Sequence, residues 1–191
     1  MGPATTRILI VSDFHGVIDT EEFLKFDRGR REETSGNVPL KNRQAVLRLL
    51  NHSPQLQLGI LSYVGKHSYE KRNQTSQAIR DLNGYLASRG CSKQVGLQFT
   101  DRPEHKAAVI VRARPRFFVD DKFSIVDQTA SEVWDKGIQT EVFFLAERRP
   151  RNPYLTHVQS FEQFVNVVIG SLHRCDPVED RPVWSREFPA P

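Results

Sequence analysis

The chain has 191 residues, 38% hydrophobic and 26% charged, which is enough apolar material for one domain with a sizeable core and excludes wholesale disorder. Its formal net charge of +4 lowers the cost of meeting anions but is too small to mark a nucleic-acid binder by itself. Two cysteines, Cys91 and Cys175, cannot build a zinc site and read as free thiols in a reducing compartment. With no visible signal peptide and no apolar run of membrane length, a cytoplasmic location is expected.

The elements follow in chain order. Residues 7–12 are an almost continuous apolar run, as in a strand buried on both faces of a parallel sheet. Residues 14–40 turn polar, with Gly29, Gly36 and Pro39, and read as a loop or small flap. Ala45, Val46, Leu49 and Leu50 then recur at helical spacing, and Pro54 punctuates that helix. Leu56 to Leu61 predicts a second strand ending at Ser62, and 67–89 a long helix stopped by Gly90.

Val95 to Phe99 predicts a third strand, and Pro103 to Val111 a helix opening near its proline. Phe117 to Val119 predicts a fourth strand running into Asp120 and Asp121. A helix over 124–136, a strand over 141–145 and an amphipathic helix over 161–172 complete the order. Arg148–Pro153 reads as loosely structured. Strand and helix alternate five times, so the expected fold is a doubly wound, Rossmann-like three-layer α/β sandwich with a mainly parallel five-stranded sheet. Residues 1–175 form the domain and 176–191 an extended tail with Trp184 and Phe188.

In such sheets ligands bind beyond the carboxyl ends of the strands. Asp13-Phe14-His15-Gly16 follows the first strand, Ser62 the second, and Asp120-Asp121 the fourth, while Lys106 lies in the preceding helix. Carboxylates, a hydroxyl and a lysine at one sheet edge form a set able to hold a hard cation and a phosphoryl group together. Each residue alone has a plainer reading. Asp13 can cap a turn, and the Asp120-Asp121 pair can begin a helix. Lys93 and Lys122 rival Lys106, His67 and His105 read as surface residues, and Asp127 is either a support for the metal site or an exposed acid.

These residues resemble four motifs of the haloacid-dehalogenase-like (HAD-like) superfamily, in the family's order. Ile-Val-Ser-Asp13-Phe14-His15-Gly16-Val17-Ile18-Asp19-Thr20 is similar to its Asp-x-Asp-Gly-Val loop, and Leu58 to Ser62 to its apolar strand ending in Ser or Thr. Lys106 stands where the family places its lysine, and Phe117-Phe118-Val119-Asp120-Asp121 is similar to its acidic fourth motif. The resemblance implies a Mg²⁺-dependent phosphohydrolase in which Asp13 is the nucleophile and forms an aspartyl-phosphate. It also implies metal ligation by Asp13, the His15 backbone carbonyl, Asp120 and Asp121. Ser62 would donate to the phosphoryl oxygens, Lys106 would neutralise charge, and backbone N–H groups from Phe14 to Gly16 would cradle the phosphate.

The chain departs from the pattern at His15, where most family phosphatases carry the aspartate that acts as general acid. Imidazole has suitable proton chemistry, but the alternative is a catalytically degenerate domain that binds a protein or nucleic-acid partner. The intervals between motifs leave no room for a large cap, so the site is expected to be open and to accept bulky or macromolecular phosphorylated substrates. Arg112, Arg114 and Arg116, with Arg148, Arg149 and Arg151, form two basic clusters suited to nucleic acid or an acidic protein, or simply to solvent.

Overall fold

A computed structural model describes residues 7–19, 40–65 and 68–172. Residues 20–39 of the expected loop or flap over 14–40, the tail from Asp176 with Trp184 and Phe188, and the side chains of His67 and Cys175 lie outside them.

Six parallel strands form one sheet in the order β3-β2-β1-β4-β5-β6. They are β1 (Ile8–Ser12), β2 (Leu56–Tyr63), β3 (Gly96–Thr100), β4 (Phe117–Asp120), β5 (Glu141–Leu145) and β6 (Thr156–Val158). The helices are α1 (Leu40–His52), α2 (Tyr69–Ser88), α3 (His105–Ala113), α4 (Phe123–Asp135) and α5 (Phe161–Leu172). The sheet is the expected doubly wound one with one strand more, β6. Three residues are too short for a hydrophobic period, and among the described residues β6 pairs with β5 alone, at the sheet edge.

Alternation along each strand sorts the core into two layers. Ile10 of β1, Leu58 and Ile60 of β2 and Phe117 and Val119 of β4 pack with α1, α2 and α5. Leu9, Val11, Leu61, Phe118 and Val142 face the other way, onto Ile110 of α3 and Ile125, Val126 and Val133 of α4. The buried helical residues recur every three or four positions, as in Ala78, Ile79, Leu82 and Leu86, so each helix buries one stripe. Gly90, at φ +78°, supplies the left-handed residue after α2. The helix before β4 starts at His105 rather than Pro103, because Pro103 sits in the turn whose carbonyl accepts the Lys106 N–H.

The Arg148–Pro153 segment is pinned rather than loose. Asn152 donates to Asp127 on α4 at 2.6 Å and accepts the Tyr154 N–H at 2.8 Å. Among the described residues no cap domain is present, and no helix is long and apolar enough to cross a membrane.

Candidate active site

The strand order reverses at β1. The chain proceeds from β1 to β2 and β3 on one side, then returns to lay β4 on the other. Two adjacent parallel strands whose connections leave in opposite directions open a crevice at their carboxyl ends. Asp13 follows β1 and Asp120 ends β4, so both stand at that crevice. Asp13 continues the alternation of Leu9 and Val11, and Asp120 that of Phe118, so both belong to the sheet face covered by α3 and α4.

From α3, Lys106 reaches between them. Its Nζ lies 2.8 Å from Asp13 Oδ1 and donates to Asp120 Oδ2 at 2.7 Å. The approach to Asp13 has ion-pair distance without hydrogen-bond alignment, so the aimed bond goes to Asp120. Burial is nearly complete, with Lys106 1%, Asp120 0% and Asp13 6% exposed. Burial alone pulls the Lys106 ammonium down, but the Asp13 and Asp120 charges more than offset it and hold its pKa above the ordinary lysine value. Burial and then the Asp13 carboxylate push Asp120 up to about 7, against the pull of Lys106. A buried charge persists only when paired, and this lysine is shared by two acids.

Asp121 completes the cluster. One oxygen from each of Asp13, Asp120 and Asp121 can be chosen so that all three lie within 4.8 Å of one another. The loop after β1 folds tightly against it. Gly16 adopts φ +80°, and a Cβ there would lie 2.0 Å from Asp121 Oδ2. Gly16 therefore packs close against the Asp121 carboxylate. Three hard carboxylate donors suit Mg²⁺, which takes oxygen ligands. Both oxygens of Asp120 are engaged, since Oδ2 accepts from Lys106 and Oδ1 accepts the Lys122 N–H at 2.9 Å.

Ser62, on β2, is fully buried, and among the described residues its hydroxyl has no hydrogen-bond partner. Leaving such a group unmade costs about 1–3 kcal/mol, which an incoming acceptor recovers. The expected amide cradle is smaller than the resemblance implies. The Gly16 N–H is spent on the Asp19 carbonyl at 2.8 Å, closing a turn in which Phe14 O accepts from Ile18 and Asp19.

His15 is held by partners that the sequence did not reveal. Its Nε2 lies 3.0 Å from Thr75 Oγ1 on α2. That hydroxyl spends its one proton on the Lys71 carbonyl at 2.8 Å, so it accepts from His15 and Nε2 carries a hydrogen. The other ring nitrogen faces Asp19 Oδ2 at 3.6 Å. Asp19 is 2% exposed, and burial raises its pKa although His15 pulls the other way. The ring is thus clamped between α2 and its own loop. Thr75 carried no sequence signal beyond helical spacing, and Asp19 lay unremarked within the first motif.

Of the rival groups, Lys93 donates to the Leu50 and Ser53 carbonyls, and Asp127 accepts from Asn152 outside the acidic cluster. The basic clusters separate. Arg112 and Arg114 end α3 and Arg116 leads into β4, at the amino edge of the sheet away from Asp13. Arg148, Arg149 and Arg151 follow β5, whose Phe144 pairs with Asp120, so they leave from the edge that carries the acidic cluster.

No family model matches the chain, and no curated protein sequence matches it. Among solved structures, the HAD domain of effector protein Lem4 from Legionella pneumophila is similar, with a TM-score of 0.49 at 12% identity. The alignment covers 79% of this chain and 92% of that one. A likeness this faint leaves the functional reading resting on the sheet order and on the side chains themselves.

Proposed function

We propose that this protein is a Mg²⁺-dependent phosphohydrolase of the HAD-like type. The observation that carries the reading is one buried lysine shared by two acids, with a third beside them, at the sheet's switch point. The Asp13 carboxylate attacks phosphorus, forms an acyl phosphate and breaks the bond to the leaving oxygen, which takes up a proton. Water then attacks the acyl phosphate, releasing inorganic phosphate and restoring Asp13. Lys106 holds Asp13 oriented and neutralises charge as the anionic groups meet, and Ser62 donates to a phosphoryl oxygen. Asp13, Asp120, Asp121 and the His15 carbonyl would hold Mg²⁺, which would supply the remaining positive charge.

The reading extends to a phosphorylated, macromolecular substrate whose acidic surroundings meet Arg148, Arg149 and Arg151. Arg112, Arg114 and Arg116, at the far edge, would serve a separate nucleic-acid or acidic-protein contact. A Mg²⁺ requirement and the free Cys91 thiol fit a cytoplasmic setting.

A second reading, a binding domain without turnover, is favoured by the clamped His15 ring, which must leave Thr75 before it can serve a leaving group. A phosphoester panel with and without Mg²⁺ separates the two. Phosphate release that needs Mg²⁺ and is lost in Asp13→Asn is expected. A wild type inert on every ester, alongside an active His15→Asp, would replace the enzyme by the binder. Regaining a general acid is worth about 10²–10⁴ in rate.

A further inference from the structure

Lys122 follows directly on the acidic pair, and its side chain is exposed. Its Nζ lies 5.7 Å from the centre of the Tyr63 ring. Tyr63 ends β2 and Lys122 follows β4, and these strands flank β1 on opposite sides. The contact therefore spans two strand spacings, ~10 Å, across the end of β1 where Asp13 emerges. Tyr63 continues the alternation of Leu61, and Asp13 that of Val11, so both belong to the same sheet face. An ammonium group and an aromatic ring thus meet across the mouth of the Asp13 crevice.

We propose that Lys122 is a phosphate-binding side chain that rests on Tyr63 across this mouth and moves to the phosphoryl oxygens when substrate enters. The inference rests on the phosphohydrolase reading and adds a residue to it. The resting contact is weak, since an exposed cation–π pair changes an equilibrium by only about two- to five-fold. A phosphate oxygen offers a charge-assisted hydrogen bond, which is roughly twice as strong as a neutral one. The ring is therefore a position the ammonium leaves readily. Lys106 cannot take this part, because it is buried between two carboxylates that already use it. Lys122 also has a backbone task, donating its N–H to Asp120, and a side-chain substitution leaves that bond in place.

The test is calorimetric titration of the full chain with inorganic phosphate in Mg²⁺, on wild type, Lys122→Met, Lys122→Arg, Tyr63→Leu and the double variant Lys122→Met/Tyr63→Leu. Lys122→Met is expected to weaken binding roughly ten-fold, and Lys122→Arg to restore most of it. Tyr63→Leu is expected to tighten binding about two- to five-fold, because it frees the ammonium, and the double variant to match Lys122→Met. Opposite signs for the two single variants are what a purely structural pair cannot give. Equal binding by Lys122→Met and wild type, or weakening by both single variants, overturns the role of Lys122 alone. A wild type that binds no phosphate in Mg²⁺ overturns the phosphate site itself, and Lys122 with it.

Discussion

Gly16 shows how narrowly the acidic cluster is built. Its φ of +80° is one that L side chains adopt only at a cost, and its missing Cβ is where Asp121 Oδ2 lies. Gly16→Ala therefore combines backbone strain with a clash against a charged group that has its own task. The two together are expected to cost about 2–4 kcal/mol. Because the clash displaces Asp121, the loss of Mg²⁺ response should exceed what destabilisation alone explains. Urea unfolding and a Mg²⁺ titration on the same variant check this, and a fully Mg²⁺-responsive Gly16→Ala would show that the loop and Asp121 are not coupled. His15 is the converse case, a residue whose departure from a pattern was legible while its partners were not. Thr75 is 60 residues away and meets it only because α2 packs over the loop.

At the level of elements, the sequence was most informative where strands are long, apolar and followed by a polar residue. The first five strands were legible, and so were the acids at the ends of the first and fourth, because a buried parallel strand has little choice but to be apolar throughout. The sixth was not, since Thr156 to Val158 reads like any loop triplet and becomes a strand only by pairing with Phe143 to Leu145. The pinning of Arg148–Pro153 by Asn152 was likewise invisible, being a contact to a different helix. The union of β1, β4 and α3 through Lys106 has a measurable consequence. Asp120 titrates near 3.8 when exposed and about 7 when folded, so between those values the folded chain holds the proton more tightly than the unfolded one. Its contribution to stability is full below about 4 and declines as the pH rises through about 7. Metal-free protein should therefore show a falling contribution from pH 4 to 7 that is absent in Asp120→Asn, and Mg²⁺ should flatten it by favouring the ionised form. Lys106→Met, which strips both acids of their counter-charge, should cost about 3–5 kcal/mol at neutral pH. Urea midpoints across this range in chelator and in Mg²⁺ test the whole set, and a slope that persists in Asp120→Asn assigns it to another group.

On the scale of the whole molecule, the sheet brings three carboxylates to one point and provides one buried lysine to balance them. Clustered carboxylates repel one another, and an ion that binds them only in the folded chain must stabilise it. At a free Mg²⁺ concentration one hundred times the dissociation constant, the gain is about 2.7 kcal/mol. For a domain of this size, each kcal/mol moves the melting temperature by about 2–4 °C, so a rise of roughly 5–10 °C is expected. Asp121→Asn should abolish most of it, because the substitution removes one of the three clustered carboxylates. Asp13→Asn should reduce it as well, while Arg112→Gln, at the opposite edge of the sheet, should leave it intact. A rise that survives in Asp121→Asn places the ion elsewhere. A wild type that does not respond to Mg²⁺ at all leaves Lys106 as the counter-charge of this crevice, and the proposed chemistry without its cation.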